Sequence, residues 1–540
     1  MAEDRESDGM TKHTSSQPCN DRVLVGIDLG TSHLKVRVFD AEGNVCGAGS
    51  APVPMLRPST GCYEQDSVTW WALVCELLRR IEVEHPGLLR NAAVISVCGH
   101  SHGPTPYVKG HGPLDNCITW LDQRGSEEVA WMLSAIGETA FHDEGNMVVD
   151  TCYTAAKLLW IQLHRPDIYD VSDVFLLPKD VLVHRLTDVF STDYTDVSVT
   201  NLFSSEERGW SETLIARCGL DPKKLPPVHQ PWEIVGEVTP RAAQETGLRE
   251  GTPVIAGAAD WACLYYGAGG VRPHVVVDLA GTVGGVMVTT DDSVDLPGMP
   301  SLIPGIRNSI AGCMEASSVI YEWFIDELGP QNISETGVYR FERMNAAAKN
   351  VPPGSEGLLV LPHFAGARRP QKENSKGVIL GLTLSTTRAT IARAIIEGVA
   401  FETRRALERI ADQGIRVELI RAIGGGARST LWRQIKADVS GIPYCTLNQS
   451  EAGAFGAAML GGYAVGVYPT LETPIDRLLQ TENRTTPRET NGKLYDDLYR
   501  TYCRFSDGME TSGLYDDVDN FLNKHSTSRK RLAERKELES

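Results

Sequence analysis

At 540 residues the chain exceeds what one hydrophobic core usually supports, so two large domains are expected, and 42% hydrophobic with 23% charged residues is an ordinary globular composition. Its 70 acidic residues outnumber 52 basic ones, and a formal charge of −18 repels phosphate backbones and anionic lipid. Nucleic-acid and membrane-surface partners are therefore disfavoured, while a small nucleotide needs only local N–H groups and a cation or two.

Residues 1–21 are polar, without the apolar core of a signal peptide, and are expected to be a disordered leader. No apolar run reaches the length of a membrane span, and the twelve cysteines contain no CxxC pair, so a cytoplasmic protein with buried, reduced thiols is expected. Val23-Leu-Val-Gly-Ile-Asp28 reads as a buried strand, Leu29-Gly-Thr31-Ser as a turn, and Leu34, Val36 and Val38 as the apolar face of a second strand. Helical periodicity follows around Trp70 to Arg80, then a strand at Ala92 to Cys98. Val254 to Asp260 runs from strand into helix, and Gly267 to Pro273 looks like a connector. The domain cut falls there, giving an N-terminal domain over 22–270 and a C-terminal one over 271–525. Immediately beyond it the opening pattern returns: Asp278-Leu-Ala-Gly281-Thr282, flanked by apolar strands, echoes Asp28-Leu-Gly30-Thr31 with one residue more. A long amphipathic helix spans Thr387 to Ile410, a strand spans Glu418 to Ile423, and Gly424-Gly-Gly-Ala-Arg-Ser429 opens a helix over Leu431 to Val439. Residues 526–540 read as a charged, helix-prone tail.

Two Gly-Thr hairpins, one opening each half, could aim N–H groups and hydroxyls at one phosphate chain from opposite walls of a cleft. A single such glycine marks only a turn that needs φ > 0; recurrence with a preceding aspartate is the informative feature. Lys35 could supply a cation, or could simply solubilise a strand face. The glycines at 424–426 stand between strand and helix, where a ligand can approach backbone closely, although sharp turns there are common in α/β folds. Neither GxxxxGK[ST] nor a GxGxxG after a strand occurs, so any nucleotide site uses another scaffold. Asp260 ends an apolar strand: it suits a helix N-cap, and equally a base taking the proton of a hydroxyl that attacks a γ-phosphoryl group.

Gly99-His100-Ser101-His102-Gly103 matches the GxSxG nucleophile elbow of serine hydrolases. An elbow needs a helix after its serine, whereas Pro104-Thr-Pro106 favours extended chain, so the histidines are read instead as partners for sugar hydroxyls. Trp120, Asp122 and Arg124 bring an apolar face and two hydrogen-bonding groups within five positions, a set suited to a sugar and equally to a surface ion pair beside a tryptophan.

Taken together and in order, six segments resemble those of the FGGY carbohydrate kinases, over about Val23 to Thr470: Gly26 to Thr31, Trp120 to Arg124, Gly257 to Asp260, Gly281-Thr282, Gly424 to Gln434, and Glu451 to Ala458. The resemblance, nearest to xylulokinase-like pentulose kinases, implies an α/β fold of two ribonuclease-H-like domains, of the actin and hexokinase type, with ATP and sugar in the cleft between them. It also implies Asp260 as general base and Asp28 as holder of Mg²⁺. Gly30, Thr31, Lys35, Gly281 and Thr282 would surround the phosphates, and Gly425, Gly426 and Gln434 the nucleoside. His100, His102, Trp120, Asp122, Arg124 and Trp261 would line the sugar, and a homodimer is a form many relatives take.

Departures cluster at the sugar: His100 and Ser101 stand for glutamine and methionine, and Trp261 for a small asparagine after the base, which suits a shorter ketose such as a tetrulose. Val283 replaces a common serine, and Gly366-Ala-Arg-Arg-Pro370 lacks a usual glutamate. The expected reaction is transfer of the γ-phosphoryl group of MgATP to a terminal hydroxyl of a pentulose or tetrulose. Alternatives are fuculose, glycerol, a signalling dihydroxy-ketone, or a non-catalytic sugar or nucleotide sensor.

Overall fold

The computed structural model describes residues 22–525 apart from 60, 146, 282–283, 292–293, 295, 297, 315–316, 329–337, 365 and 367–373. The expected leader, the charged tail, Thr282, Val283 and the segment after Gly366 thus lie outside the described residues.

Two mixed seven-stranded sheets organise the chain. In the first, β1 (Val23–Leu29), β2 (His33–Phe39) and β3 (Val45–Pro52) form an antiparallel meander. β4 (Ala92–Gly99) runs parallel to β1 on its other side. Beyond Thr105–Val108 (β5), which belongs to a separate small sheet, β6 (Ile234–Glu237), β7 (Pro253–Ile255) and β8 (Ala258–Ala259) complete the first sheet. β7 and β8 both lie parallel to β4, and β6 is an antiparallel edge. The second sheet repeats this plan. β9 (Val276–Ala280), β10 (Gly284–Thr290), β11 (Gly298–Pro300) and β12 (Arg307–Met314) form the meander. β13 (Ile420–Ile423) and β14 (Tyr444–Leu447) follow in parallel, and β15 (Thr481–Thr485) is the antiparallel edge. The echo between Asp28 and Asp278 is therefore a repeat of topology: each lies on the first strand of the antiparallel pair that opens its sheet.

Continuous apolar runs make β1 and β4 buried on both faces. One face is covered by α1 (Ser67–Glu84), whose Trp70, Trp71, Val74, Leu77, Leu78 and Ile81 recur at helical spacing and are buried. Its N-cap, Asp66, accepts from Val68 N at 2.9 Å. Polar residues also enter the core through α2 (Pro178–Thr187) and α3 (Tyr194–Val197), discussed below. The helix after β8, α4 (Asp260–Gly267), leads into the connector toward β9. In the second half, α5 (Arg388–Asp412), α6 (Thr430–Ser440) and β13 agree closely with the sequence reading.

The domain cut at 270 separates the sheets but not the packing. α7 (Ala452–Ala464), from the second half of the chain, lies on β1 and β4 of the first sheet and against α4. The reason is steric: a Cβ at Gly26, Gly267 or Gly456 would fall inside the radius of the Ala454, Ala452 or Cys263 carbonyl oxygen respectively. Only glycines let these backbones touch. Nine described cysteines are free thiols, whereas Cys46 is disulfide-bonded, which departs from the all-reduced expectation.

Candidate active site

Parallel pairing sets the first part of the site. Asp28 on β1 is in register with Cys98 on β4, and Cys98 with Ala258 on β8, so Asp28 and Asp260 flank β4 at the carboxyl ends of the strands. Each keeps a little accessible surface but has protein on most sides. Burial pushes the Asp28 carboxyl above its usual range; Lys35 pulls it back, Glu451 adds to the rise, and the Cys98 thiol and Arg37 lower it. Asp260 is pushed up to about 7, by burial first and by the charge of Asp28 second. The helix N-cap reading of Asp260 does not hold: the cap position is Ala259, and Asp260 opens α4 with Oδ1 accepting the N–H of Trp261 at 2.6 Å. That is the one hydrogen bond to this carboxylate among the described residues, and it leaves Oδ2 able to accept a proton.

A second set of contacts joins the first hairpin to the sugar candidates. Gly30 N bonds His33 O at 3.0 Å and closes the turn, and Trp120 Nε1 donates to Thr31 Oγ1 at 2.9 Å. Gln65 donates to the Thr31 carbonyl at 2.7 Å, and its Oε1 lies 3.0 Å from His100 Nε2. His100 is 2% exposed, and burial drives its imidazole down to about 4, so it is a neutral core histidine. It props the site through Gln65 rather than facing bulk solvent. His102 takes φ +76, with Nδ1 2.7 Å from the Val199 carbonyl, and packs edge-on to Tyr153 at 5.2 Å. Because a carbonyl can only accept, that bond places a proton on Nδ1. Trp261 packs in the same apolar cluster as Tyr153 and Val199, and its enclosed Nε1 has no partner among the described residues.

Other expectations change in place or role. Asp122 is 1% exposed, and its oxygens accept from Tyr63 N, Arg124 N, Arg124 Nε and Arg124 Nη2 within 2.9 Å. Arg124 also reaches Glu64 at 2.6 Å and stacks on Trp160. The ion-pair alternative therefore describes Asp122 and Arg124: they fix the turn that carries Trp120, and the four bonds to Asp122 fill its two oxygens. Lys35 pairs with Glu451 at 2.6 Å, across from Asp28 in the register, so its charge is already partnered. In the second hairpin, Asp278 is fully buried on Lys436 at 2.6 Å, so the repeated aspartate is a core ion pair there and not a second cleft carboxylate. Gly281 accepts from Ser318 through its carbonyl.

The glycine turn adjoins that hairpin: Cβ atoms at Gly424 and Gly426 would stand 2.9 and 3.0 Å from Ala280 O, while Gly425 meets nothing within 4 Å. Gly425 is thus open to a ligand. Gln434 keeps only its amide oxygen for one, because its amide nitrogen donates to Asp438 at 2.8 Å and to Thr486 O at 3.0 Å. Extended strand β5 follows Ser101, as the two prolines required, and Ser101 Oγ donates to Asp196 at 2.6 Å with no histidine on it, which removes the hydrolase elbow. Sequence reasoning missed Gln65, Lys179, Thr195 and Asp196; the only signal was charged residues inside apolar helical stretches, as at Lys179-Asp180.

Comparison with known proteins agrees with this arrangement. Models of the N- and C-terminal domains of the FGGY family of carbohydrate kinases match residues 23–265 and 278–465. A xylulose kinase of Staphylococcus epidermidis is 30% identical over 491 residues, 89% of this chain and 95% of that protein. An autoinducer-2 kinase of Yersinia enterocolitica is 29% identical over 495 residues, 87% and 92% of the two chains. The crystal structure of xylulose kinase from Rhodospirillum rubrum superposes with a TM-score of 0.80 at 27% identity, covering 93% of this chain and all of that one. With both domain models matched in order, a sheet plan repeated in each half, and Asp28 and Asp260 at the strand ends of the first, the chain belongs to the FGGY family of carbohydrate kinases.

Proposed function

We propose that this kinase transfers the γ-phosphoryl group of ATP to a terminal hydroxyl of a xylulose-like ketose. The observation that carries the reading is Asp260, enclosed, with one oxygen held by its own helix and the other open. The hydroxyl oxygen attacks the γ-phosphorus, the bond to the β-γ bridging oxygen breaks, ADP leaves, and the hydroxyl proton passes to Asp260. His102 lies against a sugar hydroxyl, Trp261 donates through Nε1, and Trp120 gives an apolar face tied to the phosphate turn through Thr31. Gly30, Thr31 and Gly281 surround the phosphates, and Gly425 with Gly426 accepts the nucleoside.

The donors present suit Mg²⁺, which keeps water and phosphate oxygens in its shell and needs few protein ligands. Among the described residues no group of three His, Cys, Asp or Glu could hold a metal, while a Cβ at Gly453 would stand 2.8 Å from Asp28 Oδ2, so this carboxylate sits in a fitted cradle. Asp28 would hold the ion, whose charge offsets that developing on the phosphates.

An ADP-release screen with MgATP against xylulose, ribulose, fuculose, erythrulose and glycerol tests the substrate. The highest kcat/KM is expected for xylulose or erythrulose; turnover of glycerol alone overturns the ketose assignment. Asp260→Asn should abolish transfer while ATP still binds, and normal turnover removes Asp260 as base. The autoinducer-2 kinase relative makes a signalling dihydroxy-ketone the second reading.

A further inference from the structure

Beneath the sugar end of the site lies a cluster of charges that the reaction does not use. Lys179, at the start of α2, is fully buried, with Nζ against three equally buried carboxylates: Asp180 at 2.5 Å, Asp193 at 3.0 Å and Asp196 at 3.4 Å. One cation facing three carboxylates is a poor source of stability, since well-packed apolar residues often serve a core as well or better. What the cluster holds suggests another reason for it. Asp193 Oδ2 accepts both the N–H and the hydroxyl of Thr195, at 2.7 and 2.5 Å. Thr195 Oγ1 in turn accepts the N–H of Ala259 at 2.9 Å, one residue before Asp260, where α4 has no side-chain cap. On the other side Asp196 Oδ1 accepts the Ser101 hydroxyl, between His100 and His102. Lys179 also packs on the strand leading there: a Cβ on Gly99 would stand 3.2 Å from Lys179 Cβ and 3.3 Å from its backbone nitrogen.

We propose that Lys179 is a positioning residue: through Asp193 and Thr195 it sets the turn bearing Asp260, and through Asp196 and Ser101 the turn bearing His102. One buried ammonium thereby fixes the distance between the base and the group that orients the sugar. The inference rests on the reading of Asp260 as general base. Burial and mutual repulsion raise the carboxyls of Asp180 and Asp196 against the pull of Lys179; burial lowers Lys179 but the three carboxylates outweigh it and raise it, so the ammonium stays charged and the network keeps its direction.

Because Lys179→Met alone can prevent folding, the test cuts the relay instead and uses xylulose and MgATP with the full chain. Thr195→Val should lower kcat about 10- to 100-fold with the KM for ATP unchanged, and Thr195→Ser, which keeps the hydroxyl, should restore it. Ser101→Ala should raise the KM for xylulose about fivefold with kcat retained. Wild-type kcat in Thr195→Val, or a loss that follows melting temperature and is not rescued by serine, overturns the proposal. Asp260→Asn is run in parallel: if it is dead while Thr195→Val is normal, only the positioning role falls; if it turns over normally, the base assignment falls and takes this inference with it.

Discussion

Asp260 and His100, each one residue beyond the paired Ala259 and Gly99, show how the same burial acts in opposite directions on two side chains. For Asp260, burial and Asp28 disfavour the anion, so kcat/KM for the sugar is expected to rise as pH increases through about 7, the range in which a base of that strength loses its proton. The folded state binds a proton here that the unfolded chain has lost, so this group's contribution to stability is full below about pH 4 and is lost as pH rises toward 7. Asp260→Asn should therefore melt higher than wild type at pH 8 and no higher at pH 4; a lower melting temperature at pH 8 contradicts this. His100 is the reverse case. Its folded value of about 4 lies below the ordinary imidazole range, so stability is lost as pH falls from about 6.5 toward 4, by about 3 kcal/mol in all. His100→Gln should flatten that acid limb in urea titrations between pH 4 and 7. The motif residues were legible as residues, but not their partners: nothing in the Trp-Leu-Asp-Gln-Arg spacing told that Arg124 would fill Asp122, or that Trp120 would reach Thr31.

At the scale of elements, periodicity was a good guide wherever one chain segment decides its own structure. The β1–β2 hairpin, α1, β4, α5 and α6 all emerge where apolar spacing placed them, because burial of one face or both is written into consecutive residues. The short elements between 100 and 250 escaped it, since a two-residue strand such as Thr192–Asp193 has no period to read. α7 is the instructive helix: apolar on all sides, it could only be a buried helix, but which sheet buries it is set by glycines on three different elements. Gly456→Ala should cost about 1–3 kcal/mol in urea unfolding through overpacking against Cys263 O, and because α7 begins beside Glu451 and Asp28 it should lower kcat as well. An unchanged midpoint and rate would show that the helix can shift aside freely.

Across the whole molecule the two sheets are joined by the connector after α4 and by α7 returning to the first sheet. Arg421 on β13 donates to the Ala268 carbonyl at 2.8 Å, tying the connector to the second sheet, and burial lowers the guanidinium from its ordinary value. Arg421→Met should leave that carbonyl without its donor, at a cost of about 1–3 kcal/mol, and should speed limited proteolysis within 267–273. Unchanged cleavage there would show that the connector is held by other contacts. Among the described residues no helix is long and apolar enough to cross a membrane.

What the sequence determined by itself was the local grammar: strand, Gly-Thr turn, strand at the head of each half, the glycine turn before α6, and the carboxylate at a strand end. These depend on neighbours a few positions apart, so composition and order suffice to specify them. The tertiary structure alone decided which copies of a motif do chemistry. Asp28 and Asp278 open equivalent turns, yet one remains at the strand ends beside Asp260 while the other is neutralised in the core by Lys436, 158 positions away. A buried charge must find its partner in space, and no spacing along the chain says whether that partner will be a ligand or another side chain.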